Sequence, residues 1–131
     1  MTEGARILVA EDNEKLQQLV KRALERDGYR VDQAFSGVEL ARAVLQTKPD
    51  LIVLDLKLPD ADGRDLLSML KRDPKTASIP VVVWSGRDPG SDRQIALDLG
   101  AEDYVEKGAP SELVSKIERI LFRLSERQQL S

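Results

Sequence analysis

Five times along these 131 residues a short apolar run gives way to apolar residues at helical spacing, and this alternation constrains the fold more than any other feature. Strands joined through helices lie parallel, because a helical crossover returns the chain to the same end of the sheet and leaves helices covering both faces. The runs occupy residues 7–10, 29–34, 51–54 and 81–84, and a brief fifth is centred on Tyr104 and Val105. Leu51-Ile52-Val53-Leu54 is apolar on both alternating faces, as a central parallel strand requires. Leu16, Leu19, Val20, Ala23 and Leu24 repeat at helical spacing after the first run, and Asp27-Gly28 supplies a stop in which glycine takes positive φ. Ser36, three residues before Glu39, is a capping box opening a second helix that carries Leu40, Ala41 and Val44 and closes before Pro49. Leu66, Leu67 and Leu70 mark a third helix, ended by Asp73-Pro74; Ile95, Ala96 and Leu99 mark a short fourth, ended at Gly100. Leu113, Val114, Ile117, Ile120, Leu121 and Leu124 form the stripe of a long last helix, whose polar end is expected to fray. One doubly wound (βα)5 unit with a five-stranded parallel sheet is expected.

Composition removes most chemistries. At 41% apolar the chain has material for one buried core, but it contains no cysteine and no histidine. Disulfides, thiolate or imidazole metal sites, Cys nucleophiles and Ser-His-Asp hydrolysis are thereby excluded, and so is a phosphohistidine on this chain. A net charge of -3 offers no general attraction to nucleic acid or anionic lipid. No apolar run approaches the roughly 20 residues of a membrane span, and the start lacks the apolar core of a signal peptide. A cytoplasmic protein is expected.

In an open α/β sheet, ligands bind beyond the carboxyl ends of the strands, near the point where strand order reverses. The first strand leads into Glu11-Asp12, the third into Asp55, the fourth into Ser85 and the fifth into Lys107. The second ends in Gln33 and Ala34, away from the chemistry, and a strand order 2-1-3-4-5 seats the first strand beside the third. Three carboxylates then share one cleft. Like charges about 4 Å apart repel by roughly 4 kcal/mol at an effective dielectric near 20. A hard divalent cation such as magnesium, bound through oxygen, relieves that repulsion. Glu11 and Asp12 taken singly could instead be solvated acids in the first turn of a helix. Asp55, closing an apolar strand, has no such local account.

Four stretches carry a resemblance: residues 7–13, 49–63, 82–86 and 100–107, with Glu11-Asp12, Asp55, Ser85-Gly86 and Lys107 in that order. Together they resemble the response regulator receiver domain of two-component phosphorelays, of the single-domain, flavodoxin-like type, from about Arg6 to Leu124. The resemblance implies that Asp55 accepts a phosphoryl group, with Asp12 on magnesium directly and Glu11 largely through water. It also implies the backbone carbonyl of Lys57 as a third protein ligand beside Asp55. Ser85, Gly86 and Lys107 would bind the phosphoryl oxygens, and Ser85 and Tyr104 would form the switch, Tyr104 turning inward on activation. Trp84, the only tryptophan, stands next to Ser85 and should report on the site. Gly108 follows Lys107 where the family commonly has proline, and Lys57 and Arg87 occupy positions that in the family tune the loss of the phosphate.

The expected partners are a sensor histidine kinase or histidine phosphotransfer protein, and an effector that docks on the face of the fourth helix, fifth strand and fifth helix. The receiver is expected to fill residues 1–124 with a frayed end at 125–131, leaving input and output to other proteins, the chain itself being a monomer or weak homodimer. Two other readings compete. A haloacid-dehalogenase-like phosphatase also starts from an Asp at a strand end with magnesium, but it wants a second carboxylate two residues on, where Lys57 stands. A degenerate receiver would serve as an interaction module without ever being phosphorylated. Retention of Glu11, Asp12, Asp55, Ser85 and Lys107 together weighs against that reading.

Overall fold

A computed structural model describes residues 4–86 and 89–130. The elements run β1 (Arg6–Ala10), α1 (Glu14–Arg26), β2 (Arg30–Ala34), α2 (Gly37–Thr47), β3 (Leu51–Leu54), α3 (Gly63–Arg72), β4 (Val81–Ser85), α4 (Pro89–Asp98), β5 (Asp103–Glu106) and α5 (Pro110–Leu130). All strand pairs are parallel, in the order β2-β1-β3-β4-β5. The doubly wound fold expected from the alternating pattern, and the strand order 2-1-3-4-5 considered for the strand ends, are therefore those observed.

Pleating divides the core into two layers. Ile7, Val9, Leu51, Val53, Val82 and Trp84 face α1 and α5, where Val20, Leu24, Leu113, Ile117 and Ile120 complete the packing. Leu8, Ala10, Ile52, Leu54, Val81 and Val83 face the other way, against Leu40 and Val44 of α2, Leu67 and Leu70 of α3 and Ala96 of α4. Each of the central strands β1, β3 and β4 feeds both layers, which is why their sequences are apolar at nearly every position.

Local signals end the helices where the residues say they should. Asn13 caps α1 by accepting the Leu16 N–H at 3.0 Å, and Gly28 beyond its end takes φ +92°. Ser36 accepts the Glu39 N–H at 3.1 Å, while Glu39 reaches back to the Phe35 N–H at 3.1 Å, one residue earlier than the usual capping box. Gly100 after α4 has φ +108°. Three strand boundaries differ from the sequence expectation, the first being β1, which begins at Arg6. Tyr29 is a helix-end residue whose N–H donates to Leu24 O, so β2 starts at Arg30, and Ser85 joins β4 because its carbonyl accepts the Lys107 N–H at 2.8 Å. The polar segment after Leu124 lies within α5, which runs as far as Leu130. Among the described residues no helix is long and apolar enough to cross a membrane.

Candidate functional site

Parallel pairing brings the carboxylates together. Ala10 pairs with Leu54, and the Asp55 N–H donates to Ala10 O at 3.0 Å, so β1 and β3 release the chain side by side. Glu11, Asp12 and Asp55 each place a carboxylate oxygen within 4.8 Å of the others. Glu11 and Asp55 are only 1% and 4% exposed, whereas Asp12 faces solvent.

Every oxygen of the two buried acids is engaged. Glu11 Oε2 accepts the Asn13 N–H at 3.0 Å and its Oε1 meets Lys107 Nζ at 2.5 Å. Asp55 Oδ1 accepts the Lys57 N–H at 3.1 Å and its Oδ2 meets the same Lys107 Nζ at 3.1 Å. One ammonium thus serves two buried carboxylates, with a third carboxylate at the mouth. Desolvation pushes the Glu11 carboxyl above the usual carboxylate range despite the pull of Lys107 and the Asn13 amide. Burial works against the charge on Lys107 too, but Glu11 and Asp55 outweigh it and hold the ammonium above its ordinary value. The lysine stays charged and the cleft still carries surplus negative charge. Carboxylate oxygens with one solvent-facing member are the donor set of a hard divalent cation that keeps part of its water.

Of the other residues singled out in the sequence, Ser85 and Gly86 lie at the same edge. Ser85, 1% exposed, ends β4 beside the lysine through the bond from Lys107 N–H to its carbonyl. Gly86 is exposed, and a Cβ built on it would lie 3.8 Å from Lys107 side-chain carbons, so Gly86 itself lies beside the lysine stem. Lys57 is exposed, and its backbone pairs with Asp62 across the loop after β3. Tyr104 is buried in the α2, α3, α4 layer, opposite Val83. Trp84 is fully buried in the other layer, and Lys107 Nζ stands 5.4 Å from its ring centroid, within cation–π range. Arg87 lies outside the described residues.

Sequence reasoning missed three supporting residues. Gln17 occupies the buried stripe of α1 with Val20 and Leu24, and its Nε2 donates to the carbonyls of Val9, Glu11 and Ala34 at 2.9, 3.0 and 2.9 Å. A polar residue in phase with an apolar stripe was the available signal. Gln17→Leu leaves those carbonyls without a side-chain donor and is expected to lower the unfolding free energy by about 1–3 kcal/mol, read as a lower urea midpoint at unchanged slope. Asp60, in the loop after β3, and Gly63, at the start of α3, gave no signal beyond turn composition. Gly63 packs on the Asp55-Leu56 backbone, donating its N–H to Leu56 O at 2.9 Å.

A family model described as the response regulator receiver domain matches residues 7–118. The phosphate regulon transcriptional regulatory protein PhoB of Klebsiella pneumoniae is 36% identical over 121 residues, which cover 92% of this chain and 53% of that protein. The receiver domain of the Francisella response regulator 1452 has a TM-score of 0.85 at 29% identity, covering 92% of this chain and 99% of that one. The Mn(2+)-bound form of response regulator Rcp1 has a TM-score of 0.77 at 30% identity, covering 87% of this chain and 91% of that one. The chain spans about half the length of the curated relatives it matches. Strand order, cleft and sequence match lead to one conclusion: the chain belongs to the response regulator receiver domain family.

Proposed function

We propose that this chain is a cytoplasmic signalling switch in which Asp55 accepts a phosphoryl group, with magnesium, from a phosphohistidine on a separate protein. Receiver domains are switches of two-component systems that work through phosphorylation, not turnover enzymes. The observation that carries this reading is the single Lys107 ammonium shared between buried Glu11 and Asp55, with Asp12 open to solvent beside them. Asp12, the Asp55 carboxylate and the Lys57 carbonyl would hold magnesium, with Glu11 acting largely through water. Bound there, the cation would neutralise charge on the transferred group. The Mn(2+)-bound Rcp1 structure supports a divalent site in a close relative of this fold.

In the transfer, a carboxylate oxygen of Asp55 attacks phosphorus, the donor's nitrogen–phosphorus bond breaks, and the electron pair stays on the imidazole. Lys107 remains protonated and pairs with the phosphoryl oxygens, and the Ser85 hydroxyl donates to one of them. Asp55 is presented for this by the Lys57 N–H, which fixes the plane of its carboxylate. The output surface would be α4, β5 and α5. Asp103 of β5 ties these elements together, with Arg93 of α4 at 3.7 Å and Lys116 of α5 at 3.1 Å, so a shift beside Ser85 has a connected face to move.

Magnesium followed by beryllofluoride, a phosphoryl mimic, should change Trp84 emission saturably, since Lys107 over the indole is displaced toward the new anion. An acyl phosphate should add one phosphoryl group by intact mass. If neither ligand alters the emission and no mass is gained, the chain is an interaction module and the switch reading fails.

A further inference from the structure

Asp60 makes a contact that phosphoryl transfer does not itself use. Its Oδ1 accepts the Gly37 N–H at 2.7 Å and its Oδ2 accepts the Val38 N–H at 3.0 Å, across 23 and 22 residues of chain. Ser36 already takes the Glu39 N–H with its hydroxyl and the Leu40 N–H with its carbonyl. The four leading N–H groups of α2 are thus all engaged, two of them by a residue from the loop after β3. Gly37 permits the approach, because a Cβ there would lie 2.9 Å from Ala61 Cβ and 3.2 Å from Asp60 Oδ1. The Gly37 and Val38 amides hold the Asp60 carboxyl below its ordinary range, so the bonds are made to the charged form.

The same loop contains Lys57. At its base the Lys57 and Asp62 backbones pair, and the Gly63 N–H closes on Leu56 O at 2.9 Å. Its crest is fastened by Asp60 to α2. We propose that Asp60 is a positioning residue, clamping the 57–62 loop to the N-terminus of α2 and so holding the Lys57 backbone ready for a divalent cation. This rests on the metal site proposed above. Without the clamp, the loop samples more conformations and the cation must order it on binding, which lowers apparent affinity by the fraction of loops in place. Linkage works in both directions: a cation that fixes Lys57 should also protect the Gly37 and Val38 amides.

Asp60→Ala and Asp60→Asn are compared with the unaltered chain by two measurements. Amide hydrogen exchange without metal reports the clamp itself, and magnesium titration followed by Trp84 emission reports its effect on the cation. Asp60→Ala should speed exchange at Gly37, Val38 and along 57–62, and weaken magnesium binding about tenfold, the scale of groups that orient metal ligands. Asp60→Asn, which keeps one acceptor oxygen, should fall between, and it carries the comparison should the alanine variant unfold. Unchanged magnesium affinity in folded variants overturns the proposal, even if their stability drops. Should the unaltered chain itself fail to bind magnesium, the proposed function falls, and the clamp is then decided by exchange alone, being overturned if 57–62 and the α2 amides exchange at unaltered rates.

Discussion

Asp55→Asn should reduce phosphoryl uptake from an acyl phosphate to background while leaving the protein folded. A carboxamide oxygen is a poor nucleophile and does not give a stable acyl phosphate, so no slower route through the same position is expected. The fold survives because asparagine has nearly the same shape and its carbonyl oxygen can still accept the Lys57 N–H. Relief of repulsion among the three acids of the cleft would by itself stabilise the metal-free variant. The structure moderates that expectation, because Lys107 already lies 3.1 Å from Asp55. Losing that ion pair offsets the relief, and the unfolding free energy should stay within about 1 kcal/mol of the unaltered chain. Intact mass and urea denaturation check the two halves of the statement. Labelling of Asp55→Asn at the original rate would place the acceptor on another residue.

Gly63→Ala should damage both stability and chemistry, although residue 63 touches no reacting atom. A Cβ there would meet Leu56 Cα at 2.5 Å, Asp55 O at 2.7 Å and the Leu56 carbonyl carbon at 3.0 Å. All three are backbone atoms, so no side chain can swing aside, and either α3 backs away or the Asp55-Leu56 peptide shifts. Overpacking of this kind costs about 1–3 kcal/mol. Because the displaced peptide carries the Asp55 carboxylate, labelling should slow by about 100-fold for each ångström of movement. Gly108→Ala is the matched comparison. Nothing lies within 4 Å of a Cβ there and its φ is not in the left-handed region, so stability should change by less than about 0.5 kcal/mol. Equal effects from the two substitutions would show that Gly63 does not hold the Asp55 backbone.

Helix and strand periods differ enough that five alternations could be read directly, and parallel strands share one end, so acids following β1 and β3 had to meet. Lys107 was legible for the same reason, as the one cation placed at that edge by β5. Its engagement with both Glu11 and Asp55 was not, because which oxygens an ammonium reaches depends on side-chain rotamers. Asp60 was hidden more deeply. Its partners lie in a different loop, and a turn-forming acid has no periodicity that marks it as a cap for a distant helix. Gly63 likewise looked like turn punctuation, whereas its role is to let α3 lie directly on a strand end. Contacts between loops are written in space and leave no repeat in the chain.

Trp84 and Tyr104 stand on adjacent strands one register step apart, and the pleat sends their rings into opposite layers. The sheet therefore acts as an optical partition. Tryptophan emission samples the side packed by α1 and α5, and a fluorine label on the Tyr104 ring would sample the side packed by α2, α3 and α4. Following both after one addition of phosphodonor would time the two halves of the molecule against each other, giving the order in which a chemical event at the shared edge spreads into either layer.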